Sequence, residues 1–205
     1  MFTGIVTAVG TVRSVEQRGD LRVTMACPYD PAQIAIGASI ACSGVCLTVV
    51  DRGGEVGDAW FAVDVSAESV ARTAPNWREG AKLNLEQALK LGDELGGHIV
   101  TGHVDGVGEV LGLCPSGDSV RVGISAPREL APYLAAKGSI TVDGVSLTVN
   151  EVSDQSDGSC HFALNIIPHT SEVTTLGALE QGSKVNLEID VLARYLKRME
   201  TLRAA

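Results

Sequence analysis

The chain contains an internal duplication, with an offset of about one hundred residues between the two copies. Four pairs of similar segments follow one another in the same order: TGIVTAVGTV (3–12) and TGHVDGVGEV (101–110), GVCLTV (44–49) and GVSLTV (144–149), FAVDV (61–65) and FALNI (162–166), KLNLE (82–86) and KVNLE (184–188). This spacing is far longer than the roughly 20 to 50 residues of solenoid or propeller repeats. Each copy is therefore predicted to be a domain with its own core, at 1–97 and 98–188. The glycine-rich stretch Leu91–Gly97 is the expected boundary.

Within each copy the apolar runs are short, rich in Val, Ile and Thr, and interrupted by Gly, Asp or Ser. This pattern is typical of an all-β barrel or sandwich. Short helical turns are predicted at Glu68–Thr73 and Arg128–Lys137. The fold class expected from the residues is therefore all-β.

The segment 189–205 has no counterpart in the first copy. Leu192, Tyr195, Met199 and Leu202 are spaced by three, four and three residues, which predicts an amphipathic helix of about two heptads. Such a helix is too short to be stable alone. Two alternatives remain open: it folds back on its own barrel, or it meets copies of itself in an oligomer.

The formal net charge of -9 disfavours a nucleic-acid partner, because phosphate binding requires clustered Lys and Arg. A neutral or weakly charged small molecule fits better. The chain has no long apolar run and no signal-peptide pattern, so we expect no membrane association and a cytoplasmic location. The cysteine number is odd, with five residues and no Cys-x-x-Cys pair, which predicts reduced thiols.

Positions that match between the copies but differ in chemistry are the best candidates for function, because the shared fold does not require the difference. They are Ile5 and His103, Cys46 and Ser146, Asp64 and Asn165, Glu68 and His169. Strand alternation places Cys46 and Thr48 on one face, as it does their counterparts in the second copy. Cys46 is alternatively a small buried apolar residue, and His103 an ordinary surface histidine.

Some residues are kept in both copies, and they serve either folding or a shared ligand: Gly4 and Gly102, Gly44 and Gly144, Thr48 and Thr148, Asn84 and Asn186. For the glycines a folding role is favoured. A metal shared by His98 and His103 is disfavoured, because a separation of five places them on opposite faces of a strand. No common nucleotide-binding or hydrolase motif occurs, so an enzyme of this kind needs a substrate that brings much of its own reactivity.

The segments MFTGIV, GVCLTV, GVSLTV, GGHIVTGHVDG, NIIPHT and VNLEID resemble the riboflavin synthase family, and the resemblance covers essentially the whole chain. It implies two tandem six-stranded Greek-key barrels of the flavin-binding-barrel type, with a C-terminal helix at 189–205 that holds a homotrimer. The implied reaction is a dismutation in which two molecules of 6,7-dimethyl-8-ribityllumazine exchange a four-carbon unit. The family uses no metal or organic cofactor. The N-terminal barrel of one subunit would face the C-terminal barrel of the next.

The resemblance also implies the site residues. The N-terminal pocket would be lined by Phe2, Thr3, Gly4, Ile5, Val6, Ser39, Cys46, Leu47, Thr48, Asp64, Val65, Ser66, Ala67, Glu68 and Ser69. The C-terminal pocket would be lined by Gly102, His103, Val104, Lys137, Ser146, Leu147, Thr148, Asn165, Ile166, Ile167, Pro168, His169 and Thr170. Catalytic roles are expected for His103, Cys46, Ser146, Thr148, Asp64 and Asp190. We expect His103 to assist proton transfer, and Cys46, Ser146 or a water to add to the second lumazine.

Two other classes of protein share the implied fold. Lumazine or flavin carrier proteins of luminous bacteria bind the chromophore without turning it over, and flavin-binding barrels also occur in reductases. The intact CLT and SLT segments and His103 favour the enzyme over the carrier, and no sequence remains for the nicotinamide domain of a reductase. Which barrel holds the donor molecule stays open at this level.

Overall fold

The computed structural model describes residues 1–203 of the chain. The first copy forms six strands and one short helix: β1 Ala8–Arg18, β2 Asp20–Cys27, β3 Ser39–Cys42, β4 Val45–Glu55, β5 Asp58–Val65, α1 Ala67–Arg72 and β6 Lys82–Gln87. The strands close into an antiparallel barrel in the order β1-β2-β5-β4-β3-β6, and β1 pairs with β6 to complete the ring. This order confirms the predicted six-stranded Greek-key barrel.

The second copy repeats this strand order with one strand interrupted, so that its strands form a seven-stranded sheet instead of a fully paired ring. Its elements are β7 Gly106–Ser116, β8 Ser119–Ala126, β9 Ser139–Val142, β10 Val145–Thr148, β11 Glu151–Asp154, β12 Cys160–Ile166, α2 Pro168–Val173 and β13 Lys184–Ile189. The sheet order is β10-β9-β13-β7-β8-β12-β11. Strands β10 and β11 together correspond to β4, whose register shifts by one residue between Val49 and Asp51. The same irregularity in the second copy divides the strand at Val149 and Asn150.

Each barrel has its own apolar core, as expected for a duplicated domain. Phe61 and Phe162 occupy matching, fully buried positions in the two cores. A third and smaller cluster lies between the barrels, where Phe2 packs with Ala41 and Val100. Burying the Phe2 and Val100 side chains contributes roughly 1.5 to 3 kcal/mol each.

The two barrels meet at the hairpin turns that join β3 to β4 and β9 to β10. Both turns have positive φ at their two central residues, Ser43 and Gly44 in one and Asp143 and Gly144 in the other, as in type I′ turns. A Cβ on Gly44 would lie 3.0 Å from the backbone nitrogen of Gly144, so the turns pack too closely for side chains there. The repeated glycines therefore serve the fold.

The repeated asparagines tie the same two turns together. The Asn84 side-chain amide donates to the Asp143 carbonyl oxygen, and the Asn186 amide donates to that of Ser43, both at 2.8 Å. Each amide oxygen in turn accepts from a backbone N–H of the opposite half, at Thr175 and Ala74. Asn84 and Asn186 therefore hold the barrels together.

Helix α3, Val191–Arg203, follows β13 directly and matches the predicted C-terminal helix. It has no buried residue, and it packs beside the short 3-10 turn Ala131–Tyr133. Its apolar side chains are exposed: Leu192, Tyr195, Leu196, Met199 and Leu202. Among residues 1–203, no helix has the length and apolar character that crossing a membrane requires.

Candidate active site

Two surfaces of the same backbone design carry the residues singled out above. The Cys46 surface consists of Cys46 and Thr48 on β4, Asp64 and Ser66 at the end of β5, Glu68 and Ser69 on α1, and His103. The Ser146 surface consists of Ser146 and Thr148 on β10, Asn165 at the end of β12, His169 on α2, Ile5 and His98. The Cys46 surface includes a cleft of about 350 Å³ that Cys46, Glu68, Ser69 and His103 help to line.

The segments that precede the two barrels cross over, which reverses part of the pocket assignment made from the sequence. The Cys46 N–H donates to the Gly102 carbonyl oxygen and the Ser146 N–H to that of Gly4, both at 2.8 Å. Val6 packs against the core of the second barrel and Val104 against that of the first. The expectation placed Gly4 and Val6 at the N-terminal pocket and Gly102 and Val104 at the C-terminal pocket, whereas these contacts place each of them against the other barrel. Ile5 belongs with Ser146, and His103 with Cys46.

Two buried glutamates hold these crossing segments in place. The Glu86 carboxylate on β6 accepts from the Thr3 N–H, the Thr3 hydroxyl and the Gly4 N–H, at 2.7 to 3.0 Å. Glu188 on β13 does the same for Thr101 and Gly102. Burial raises the pKa of both carboxyl groups despite these bonds. Each barrel therefore anchors the segment that completes the surface of the other barrel.

The crossing also explains why glycine occurs at both turning points. Gly4 and Gly102 have φ of 76° and 79°. A Cβ would lie 2.6 Å from the Cβ of Ser146 at the first position and 2.5 Å from that of Cys46 at the second. Neither the conformation nor the space admits a side chain, which supports the folding role predicted for these glycines.

His98 is a candidate functional residue that the sequence reasoning considered only as a metal ligand. Its Nδ1 lies 2.7 Å from the Ser146 hydroxyl, and its Nε2 lies 3.3 Å from that of Thr141. Burial lowers the pKa of His98, although the nearby Asp190 carboxylate opposes this. A neutral imidazole has one N–H, so one of its two nitrogens accepts a hydrogen bond from a hydroxyl. If Nδ1 is the acceptor, the Ser146 hydroxyl is polarised toward nucleophilic addition.

Comparison of the two copies could not single out His98, because the offset of 98 between Thr3 and Thr101 assigns it no position to be compared with among residues 1–205. The structure supplies what that comparison could not, an imidazole in contact with the Ser146 hydroxyl.

Asp64 and Asn165 differ in charge, and the structure gives Asp64 a partner. Arg22 on β2 binds both Asp64 oxygens, with Nε 2.5 Å and Nη2 3.0 Å away. This hydrogen bonding holds the pKa of Asp64 below its usual value. Arg121 occupies the equivalent place opposite Asn165 and pairs instead with Glu151. Asp64 is thus placed to accept hydrogen bonds as a carboxylate and is a poor proton acceptor.

Asp190 and Thr148, which were also predicted to be catalytic, lie at or next to the ends of secondary-structure elements, and Lys137 was predicted to line a pocket. Asp190 accepts from the Leu192 N–H at 2.9 Å at the start of α3, and its charge acts on His98. Thr148 is exposed at the end of β10, opposite Ser139 in register, as Thr48 is opposite Ser39. Lys137 is also exposed, with a φ of 68°.

Several residues in the predicted pocket segments are buried. Leu47, Val65 and Ile166 face the core because alternate residues of a strand do so. The other buried residues lie in the crossing segments: Phe2, Thr3, Gly4 and Gly102. Side chains on the solvent face remain available to a ligand: Ile5, Thr48, Asp64, Ser66, Ala67, Glu68, His103, Lys137, Thr148, Asn165, Ile167, Pro168 and His169. Val6, Ser39, Cys46, Ser69, Val104, Ser146, Leu147 and Thr170 are half-buried. Phe2, with no exposed surface, supports Cys46 from beneath.

Comparison with known proteins identifies the family of the chain. The lumazine binding domain family matches the chain twice, over residues 3–88 and 101–190. The riboflavin synthase of Brucella abortus (strain 2308) is 49% identical over 204 residues, covering 97% of this chain and 98% of that protein. The chain belongs to the riboflavin synthase family. Members of this family are transferases.

Other relatives and solved structures agree with this membership. The riboflavin synthase of Mycobacterium tuberculosis (strain ATCC 25618 / H37Rv) is 46% identical, over 97% of this chain and 98% of that protein. Among solved structures, LumP complexed with riboflavin is similar, with a TM-score of 0.76 and 27% identity over 92% of this chain and 99% of that chain. LumP complexed with 6,7-dimethyl-8-(1'-D-ribityl) lumazine has a TM-score of 0.74 and 26% identity, with the same coverage. The fold therefore serves lumazine and flavin binding in proteins similar to this one.

Proposed function

We propose that the chain is a riboflavin synthase, which converts two molecules of 6,7-dimethyl-8-ribityllumazine into riboflavin and 5-amino-6-(D-ribitylamino)uracil. The observation that carries the proposal is the presence of two complete but unequal surfaces, in a chain related over its whole length to riboflavin synthases. Two identical substrate molecules that play different parts require two sites of similar shape and different chemistry. The atoms of the two substrates equal those of the two products, so the reaction needs no external oxidant.

The donor and acceptor steps make different demands on the protein. Loss of a proton from the acidic C7 methyl group of one lumazine needs a base, and His103, exposed beside the Cys46 cleft, suits that role because histidine is the side chain that most often acts as a general base. Addition to the second lumazine needs a nucleophile, and the Ser146–His98 contact supports the serine hydroxyl over Cys46 or water. Holding both molecules in the reactive orientation is worth up to about 7 to 11 kcal/mol.

The assembly belongs to the same proposal. We propose lumazine-binding domains at 1–97 and 98–188, with 189–205 as the trimerisation helix; residues 204 and 205 lie outside the described part. The exposed apolar face of α3, with Leu192, Tyr195 and Met199, supports contact between copies. In a homotrimer, the Cys46 surface of one subunit would face the Ser146 surface of the next. The proposed location is the cytoplasm, in keeping with five free cysteines.

One experiment distinguishes a riboflavin synthase from a lumazine carrier protein. Purified protein is mixed with 6,7-dimethyl-8-ribityllumazine, without added metal or nucleotide, and riboflavin is followed by its absorbance. The proposal predicts repeated turnover, with two lumazines consumed for each riboflavin. A carrier would bind the lumazine, as LumP is shown to do in a solved structure, and leave it unchanged. Binding without turnover would overturn the proposal.

A further inference from the structure

The segment Thr101–Asp105, which carries His103, is anchored at both ends. At its start, the Glu188 carboxylate holds Thr101 and Gly102 through three hydrogen bonds of 2.7 to 3.0 Å. At its end, the Asp105 N–H donates to the Leu187 carbonyl oxygen at 2.8 Å. The Asp105 carboxylate also accepts from the Ile189 N–H at 2.9 Å. His103 thus lies between two attachments to β13.

The second attachment includes the C-terminal helix. Nη2 of Arg194 on α3 donates to both oxygens of Asp105, at 2.7 and 2.9 Å. Only 13% of the Asp105 side chain is exposed, so water screens this pair less than an ordinary surface pair. Removing the arginine would leave a mostly buried carboxylate without its charge partner, which is costly.

The first repeat has no ion pair at the position that corresponds to Asp105. Thr7 takes the place of Asp105, and its N–H makes the corresponding bond to the Leu85 carbonyl oxygen at 2.9 Å. Its hydroxyl lies 2.6 Å from the Tyr29 hydroxyl and reaches no charged group. After β6 the chain continues into the connection to the second barrel, whereas α3 follows β13. The ion pair therefore belongs only to the segment that brings a titratable side chain to the opposite barrel.

We propose that Arg194 and Asp105 are positioning residues, which use the C-terminal helix to fix His103 against the Cys46 surface. This inference rests on the proposed function, and in particular on the role of His103. Helix α3 has no buried residue, and Asp190 caps its first turn. The Arg194–Asp105 pair is thus one of its few attachments to the barrel. Contacts that hold α3 in an oligomer would then also hold His103, which links assembly to catalysis.

The test uses variants that remove the pair while sparing its surroundings. Arg194→Met keeps a long side chain on α3 without the charge. Asp105→Thr copies the first repeat. Glu151→Gln is the matched control, because it breaks the Arg121–Glu151 pair on the same barrel and lies outside the Thr101–Asp105 segment. For each variant, kcat and KM are measured for riboflavin formation from 6,7-dimethyl-8-ribityllumazine, and the oligomeric state is measured by light scattering at the assay concentration.

We expect Arg194→Met and Asp105→Thr to lower kcat about ten- to a hundredfold, because small misplacements of a reacting group have effects of this size. KM should stay within about twofold, because the lumazine contacts remain, and Arg194→Lys should recover part of the loss. Glu151→Gln should behave like the parent protein. The imidazole proton resonances of His103, assigned with His103→Gln, should shift or broaden in Arg194→Met.

Three results would overturn the inference: unchanged kcat in Arg194→Met, an equal loss in Glu151→Gln, or a loss that only follows dissociation of the oligomer. Failure of the proposed function would look different. A parent protein that makes no riboflavin would refute the synthase activity, and the His103 resonances would still decide whether Arg194 positions the ring. Unchanged His103 resonances in Arg194→Met would refute the positioning role whatever the activity.

Discussion

The Cys46 surface and the Ser146 surface are built on the same backbone frame and differ in what stands on it. Each has a glycine turn from the crossing segment, a strand residue bonded to that turn, and a short helix beyond the next strand. One surface offers a thiol, an arginine-paired carboxylate and His103. The other offers a hydroxyl bonded to His98 and a neutral amide at Asn165. Under the proposed function, the shared frame would hold the ring system, and the differences would give the two substrate molecules their different roles.

Replacing His103 by Gln tests the difference with the largest expected effect. Glutamine keeps hydrogen-bonding capacity but cannot act as a general base as an imidazole does. We expect kcat to fall by about 10² to 10⁴, the range of general acid–base catalysis, while the affinity for lumazine survives. The measurement is steady-state riboflavin formation, with lumazine binding followed separately. Unchanged turnover would remove His103 from the mechanism.

Breaking the His98–Ser146 contact tests the other surface. Ser146→Ala and His98→Gln are each expected to lower kcat about hundredfold, and the double variant should be little worse than either, because residues that act as a unit are not additive. Cys46→Ser, which makes the two strands alike, should change kcat less than Ser146→Ala does. If the kcat losses of the two single variants multiplied in the double variant, Ser146 and His98 would not act as one hydrogen-bonded unit.

The turns at the barrel interface carry a third difference, Ser43 against Asp143. Burial raises the pKa of Asp143 to about 7. In the unfolded chain this group ionises near pH 3.8, so its contribution to stability is complete below that pH and is lost as the pH rises through about 7.

Asp143→Asn keeps the side-chain oxygen that accepts from the Asn186 backbone N–H. Because asparagine does not ionise, the variant should not lose stability as the pH rises. We expect the variant to gain about 3 kcal/mol over the parent between pH 5 and pH 8, measured by denaturant unfolding at both values and at one protein concentration. A stability difference that does not change with pH would show that Asp143 is not the titrating group.

The smallest effect is expected for Asn165→Asp, which gives the Ser146 surface the carboxylate of the Cys46 surface. Arg121 lies opposite position 165, and the site is exposed. An ion pair formed there should therefore change the free energy of unfolding by less than about 1 kcal/mol. A fall in kcat without a change in stability would show that the amide is needed by the ligand. Equal kcat would show that the Asp64–Asn165 difference is neutral.

The sequence predicted the barrels well because the repeat aligns residues that feel the same backbone constraints. It did not predict the crossing, because an alignment of copies says which residues correspond and not which barrel each side chain faces. His103 was therefore grouped with Ser146, whereas the Gly102–Cys46 bond places it on the other barrel. Leu47 and Val65 were included in continuous pocket segments although strand alternation buries them. His98 was missed because the repeat offset gives it no position to be compared with among residues 1–205.

The central claim is that one chain carries two unequal sites for the same molecule. Calorimetric titration of the His103→Gln variant with 6,7-dimethyl-8-ribityllumazine tests it directly, since turnover is expected to be slow while the lumazine contacts remain. The account predicts two lumazines bound per chain, with two distinguishable affinities. Saturation at one lumazine per chain would contradict it.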